Sequence, residues 1–225
     1  IGELIEGSFE SDLVRGVVMT DALIGTFAPN RDAELDANRC FLYHVIGGGT
    51  GDWNIPVGGM GAVSGSMAKA ALRLGAKLVT HATVISVSPD RVISYLHDGE
   101  QKQVSADFVL SGVARNKLAK LIPAIKPEEV QGAQVKVNIL LKRLPKLKDP
   151  GVSPEAAFGG TFHINETYAQ LQAAFDSASK GEIPDPLPCE IYCHSLSDPS
   201  ILGPELRASG AQTLTVFGIH APHSL

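Results

Sequence analysis

Apolar residues recur at helical spacing through Phe9, Leu13, Val17 and Ala22, joined by Val14, Val18 and Leu23, and predict an amphipathic helix over 8–24. Ser8 stands where a side-chain oxygen caps a helix start, and Gly25 closes the pattern. Residues 26–38 read as polar loop. The short apolar segment 40–46 fits helix or strand equally, because periodicity does not decide at this length. Gly47-Gly48-Gly49-Thr50-Gly51-Asp52 reads as a turn, and it lacks the Gly-Lys-Ser/Thr ending of a phosphate-binding loop.

The rest of the chain is organised around residues 56–87. A Gly-rich turn, Pro56 to Val63, leads into a helix through Ser64, Ala68 and Leu72 that stops at Gly75. A strand is expected over 76–87. Gly58, Gly59 and Gly61 let the backbone come close to another group, since no Cβ intervenes. Residues 91–96 and 103–110 alternate around Asp98-Gly99 and predict a hairpin. Phe108-Val109-Leu110 reads as a run buried on both faces, ending in Ser111-Gly112 at the kind of strand end where ligands sit. A short helix spans 118–122.

A different texture begins near Pro127. Strands are expected at 135–141, 162–164, 190–194 and 213–220, with a surface loop over 146–157. A helix runs from about 167 to 179, with Asn165 as its cap and Gly181 behind it. Strands without regular βαβ alternation favour a mostly antiparallel sheet with flanking helices, hence an α+β fold. The expected division is a helical part of a substrate domain over 1–52, a partial cofactor domain over 53–126 and the antiparallel substrate domain over 127–225.

Composition removes several classes of partner. Of the 225 residues 44% are hydrophobic and 19% charged, and the net charge of −5 gives no reason to expect nucleic acid or an anionic membrane. No apolar run reaches the roughly 18 residues of a membrane helix. Three cysteines, Cys40, Cys189 and Cys193, do not make a disulfide framework and point to a reducing, cytoplasmic compartment. The chain starts without Met inside a helical pattern and stops just after a strand, which suggests an internal piece of a longer protein.

Candidate chemistry is thin. Gly59-Met60-Gly61-Ala62-Val63-Ser64 carries two of the three glycines of a dinucleotide fingerprint, after too short a strand and without the acidic residue about 20 positions on. Ser66-Met67-Ala68-Lys69 has the spacing of an acylating Ser–Lys pair, but the Ser-Asp-Asn and Lys-Thr-Gly partner motifs are missing, so Lys69 reads as a solvated helix position. Cys189 and Cys193 stand four apart on an expected strand, roughly 13 Å from each other, too far to share one zinc ion; they read as buried free thiols. His220 and His223 have no carboxylate or cysteine companion, and His44, His81, His97 and His163 each stand alone.

In sequence order, Gly58 to Val63, Ala68 to Leu72, Gly75-Ala76 and Val84 to Val87 resemble the FAD-dependent phytoene dehydrogenase-like oxidoreductases. The nearest branch is that of the pyridine nucleotide-disulfide oxidoreductase domain-containing proteins. The resemblance continues through Val109 to Gly112, Val137-Asn138-Ile139 with Leu144-Pro145, Phe162 to Asn165, Ser197-Asp198-Pro199 and His220 to Leu225. It implies that Val84 lies on the strand meeting the adenine of FAD, and that Ser111 and Gly112 close the cofactor domain beside it. Gly58, Gly59 and Gly61 would lie near the flavin and the substrate cavity. The family's N-terminal Gly-x-Gly-x-x-Gly unit and its C-terminal flavin-contacting segment are absent from these residues. The resemblance therefore implies an internal part of an FAD oxidoreductase acting on a hydrophobic or amine-like small molecule. The alternative is a binding or interaction module that keeps the fold without the chemistry. No catalytic residue, metal site, electron acceptor or oligomeric state is marked by the sequence.

Overall fold

A side-chain cap, not a hydrophobic stripe, decides where the first helices lie. In the computed structural model, which describes residues 1–46, 49–50, 54–128 and 132–225, the expected helix over 8–24 is two helices, α1 (Gly2–Ser8) and α2 (Asp12–Leu23). Phe9 is extended, and Arg15 reaches back to donate to the carbonyls of Phe9 (2.6 Å) and Glu6 (2.8 Å), satisfying the open end of α1. Ser11, rather than Ser8, caps α2 by accepting from the Val14 amide. The ambiguous segment at 40–46 is helical, as part of α3 (Asp36–Ile46). Trp53 and most of the Gly47–Asp52 turn lie outside the described residues.

The remaining elements follow in order: α4 (Gly59–Arg73), β1 (Ala82–Val87), β2 (Val92–His97), β3 (Glu100–Ser105), α5 (Arg115–Leu121), β4 (Gln134–Leu141), α6 (Pro154–Phe158), β5 (Phe162–Ile164), α7 (Tyr168–Ala178), β6 (Cys189–Tyr192), α8 (His194–Ser197), α9 (Pro204–Ala208) and β7 (Gln212–Ile219). The chain divides into two compact units, one made of 1–64 with 131–225 and the other of 65–130, so the division falls within α4; the expected boundaries stood at 53 and 126. The fold is α+β with antiparallel sheets in both units.

In the smaller unit β1, β2 and β3 form an antiparallel meander, with Asp98 (φ +52) and Gly99 (φ +82) making the tight turn that the Asp-Gly pair predicts. β1 is shorter than expected and begins at Ala82, because its partner ends there: Ala82 pairs with His97, the last residue of β2, and His81 (φ +54) breaks the strand before it. Phe108-Val109-Leu110 is a correction. The run is not a buried strand; Phe108 is 86% and Leu110 96% exposed, since β3 ends at Ser105 and no described strand flanks the segment.

In the larger unit the strand order is β4-β7-β6-β5. Alternation gives this sheet two working faces. Leu214 belongs to a cluster with Leu144, Phe158 and Cys193, against which Ile139, Ile191 and Phe162 pack. Ile219, on the opposite face, joins Ile5, Met19, Leu23 and Leu171 from α1, α2 and α7. Helix α7 starts at a capping box in which the Thr167 hydroxyl accepts from the Gln170 amide and the Gln170 side chain accepts from the Thr167 amide. Asn165, the expected cap, instead occupies a left-handed turn (φ +56) and donates its Nδ2 to the Pro186 carbonyl. α2 crosses this turn at Gly16, where a Cβ would lie 1.9 Å from the Glu166 carbonyl oxygen. Only glycine permits that approach.

Candidate functional site

The Gly-rich turn is built by two residues in the left-handed region, Gly58 (φ +84) and Gly59 (φ +73). Gly58 donates its amide to Asp198 Oδ2 at 2.7 Å. Asp198 also accepts from the Ser200 amide at 3.0 Å, and the Ser200 side chain together with the two amides holds its carboxyl below the usual carboxylate range. A Cβ on Gly59 would meet only the Ile201 side chain, and one on Gly61 would meet open space. Met60, between them, is 71% exposed. The turn is thus pinned from one side and bare on the other. Ser66 and Lys69 are both exposed on α4.

Val84, Ser111 and Gly112 come together in the smaller unit, where they line one cleft of about 600 Å³. Its walls include Val87, Ile93, Leu118 and Ile122, with Arg91 and Asp107 at the polar side. Val84 pairs with Tyr95 just before a bulge at Ile85, which shifts the register of β1 against β2. β1 is an edge strand, so among the described residues its outer backbone groups have no strand partner. Gly112 has open space where a side chain would begin. Gly58, Gly59 and Gly61 belong to the larger unit.

The larger unit holds a second cavity, of about 470 Å³, on the helical side of its sheet. Ile24, Ile55, Phe158 and Phe217 supply apolar walls, and Asp21, His44, Tyr192 and His194 supply polar atoms. Tyr192 stacks on His194 with the rings 9° apart and meets Phe217 edge-on. Burial, and then the Glu190 charge, push the Asp21 carboxyl above its usual range. Its backbone carbonyl accepts from His44 Nδ1 at 2.8 Å.

Behind Tyr192 lies a group that reading by sequence misses. His163 does not stand alone. Register places it directly opposite Glu190, which in turn lies opposite Phe217 and then Lys136, whose ammonium sits 4.7 Å above the Phe217 ring. The left-handed Asn165 folds Glu166 back so that His163 Nδ1 meets Glu166 Oε2 at 2.5 Å. The Tyr192 hydroxyl donates to Glu190 Oε2. Bonding to Glu166 raises the His163 pKa, burial raises that of Glu166, and burial with the Glu190 bond raises that of Tyr192. The His-x-x-Glu spacing was open to view in the sequence; Glu190, 24 positions beyond Glu166, had no local signal. The three cysteines are free, with Cys189 and Cys193 buried as expected. Among the described residues no helix is long and apolar enough to cross a membrane.

Comparison with known proteins gives relatives but no matching family model and no matching solved structure. An uncharacterized protein of Mycobacterium tuberculosis H37Rv, Rv0897c, is 54% identical over 228 residues, covering all of this chain and 43% of its own length. Pyridine nucleotide-disulfide oxidoreductase domain-containing protein 2 is 28% identical over 247 residues in Rattus norvegicus and 30% over 249 in Mus musculus. The chain is a distant homologue of that protein. Each alignment covers the whole of this chain and 41% of the rat or mouse protein, so the chain spans less than half the length of the curated relatives it matches.

Proposed function

We propose that this chain is part of an FAD-dependent oxidoreductase of the phytoene dehydrogenase-like kind, acting on a hydrophobic or amine-bearing small molecule. The observation that carries the reading is the similarity of the whole of this chain to a 41% share of the rat and mouse oxidoreductase domain-containing proteins. The cleft of the smaller unit supports it. Val84 on a free strand edge, an apolar lining and the unhindered backbone at Ser111-Gly112 suit the flat adenine half of a dinucleotide, and the volume lies in the small-molecule range.

A bound flavin would supply the hydride chemistry, and the chain's residues would supply position and a dry environment. Gly58, Gly59 and Gly61 would let a ring approach the turn, which Asp198 holds in shape. The apolar walls of the larger unit's cavity would exclude water from a substrate, and the Asp21 carboxylate would pair with a substrate amine.

The test is the full-length protein. Purified or reconstituted with FAD, it is expected to show flavin absorbance that survives desalting, and bleaching of that absorbance by substrate under anaerobic conditions. A well-folded full-length protein that stays colourless after refolding with FAD refutes the reading and favours the module without chemistry.

A further inference from the structure

Two buried carboxylates and an imidazole converge on the helical face of the larger unit's sheet, and among the described residues one oxygen of Glu166 is left without a partner. We propose that His163, Glu166 and Glu190 form a site for one divalent transition-metal ion of the zinc or manganese kind, held by one ring nitrogen and two carboxylate oxygens. One donor atom from each residue lies within 4.8 Å of the others. Three atoms sharing an ion at about 2.0–2.2 Å stand about 3–4 Å apart, so side-chain adjustments of about 1 Å close the site.

Burial makes the arrangement costly without a cation. The Glu166 side chain is fully buried, Glu190 is 2% exposed, and among the described residues Glu166 Oε1 has no hydrogen-bond partner. Buried charge is ordinarily paired or spent on a metal, and here two carboxylates face one imidazole, with Asp21 adding to the negative field. The donor set selects among ions. A nitrogen with two carboxylate oxygens suits a borderline divalent metal, whereas magnesium prefers oxygen and waters, and Cu(I) prefers thiolate.

The donors are also held as ligands need to be. His163 and Glu190 are directly opposed across β5 and β6, so sheet register fixes their spacing. Glu166 is placed by the left-handed turn at Asn165 and by the close passage of Gly16 over its backbone. The Tyr192 hydroxyl orients the Glu190 carboxylate, the part an outer-shell partner plays in metal sites. The His163 side chain is 22% exposed, which gives an ion a way in.

The experiment uses the full chain, freed of metal by chelator dialysis and then given zinc chloride or cobalt chloride alone. One equivalent of zinc is expected to remain after desalting. Glu166→Gln and Glu190→Gln are expected to weaken zinc by more than the about 10–100-fold that loss of an outer-shell partner costs, and Tyr192→Phe to stay within that range. Each variant is checked for native circular dichroism. The unaltered protein loaded with cobalt needs no variant to fold, and is expected to show visible d–d bands without a thiolate-to-cobalt band in the near ultraviolet. Failure to hold zinc, a zinc affinity in the Glu→Gln variants equal to that of the unaltered protein, or a thiolate band implicating Cys189 or Cys193 overturns the proposal.

Discussion

Lowering the pH should destabilise this protein through one buried histidine. His220 follows β7, is fully buried and, among the described residues, has no hydrogen-bond partner on either ring nitrogen. Its ring meets those of Phe175 at 5.6 Å and Phe27 at 5.9 Å, both edge-on. Desolvation alone lowers its pKa from 6.5 to about 4, because nothing nearby compensates a charge. In the folded protein His220 therefore stays neutral where the unfolded chain takes up a proton. The stability gained by burying the neutral ring is complete above pH 6.5 and is lost as the pH falls from 6.5 to about 4. The whole depression corresponds to about 3 kcal/mol, of which about 2 kcal/mol is gone by pH 5.

The perturbation that isolates this is His220→Asn. Asparagine does not titrate, and it tolerates the left-handed backbone at this position (φ +57). Urea unfolding of both proteins at pH 7, 5 and 4, followed by circular dichroism, gives the assay. The variant starts less stable at pH 7, with the Phe27–Phe175 contact to the ring gone. The wild type should then lose about 2 kcal/mol more than the variant between pH 7 and 5, and about 3 kcal/mol more by pH 4. All other titrating groups are common to both proteins and cancel in the difference. Parallel losses in the two proteins, or a His220 resonance that titrates near 6.5, would refute the argument.

Three further outcomes follow from close contacts. Gly16→Ala would drive a Cβ into the Glu166 carbonyl, and should lower stability by about 3 kcal/mol or more in a urea titration, beyond ordinary overpacking, because backbone must move. Asp198→Ala removes the acceptor of the Gly58 amide, and hydrogen exchange at that amide should accelerate several-fold while exchange in β7 stays unchanged. Gly112→Leu fills the open side of the smaller unit's cleft; in the full-length protein it should weaken FAD by about tenfold or more without lowering the melting temperature, read by flavin fluorescence.

The elements that the sequence placed well are those whose signals are local. Asp98-Gly99 fixes its hairpin because both residues accept positive φ, and Gly75 (φ +86) ends α4 for the same reason. Errors arise where a neighbour decides. Asn165 and Thr167 are both good caps on paper; Thr167 takes the role because Gln170 completes a reciprocal pair with it, which frees Asn165 for the turn. The apolar stripe over 8–24 persists across Phe9, but Arg15 caps one helix at the point where Ser11 starts the next. Phe108-Val109-Leu110 is hydrophobic enough for a buried strand, and hydrophobicity does not report whether partners stand on either side.

The same division between local and distant signals governs the chemistry. The glycines of the turn were legible because a bare backbone is a property of the residue itself. Val84, Ser111 and Gly112 line one cleft although 27 positions separate the first two, a grouping that family resemblance suggested and spacing alone did not. The His163–Glu166–Glu190 group depended on the pairing of β5 with β6, which no one-dimensional pattern encodes. Each of these side chains looks ordinary in its own segment: a histidine on a short strand, an acid before a helix, an acid among prolines and cysteines. Their meaning comes from a sheet register that places two of them face to face and from a turn that returns the third. A substitution that preserves all three residues but slips β5 by one position would turn His163 to the opposite face and dissolve the group, so strand register, as much as residue type, carries whatever chemistry resides there.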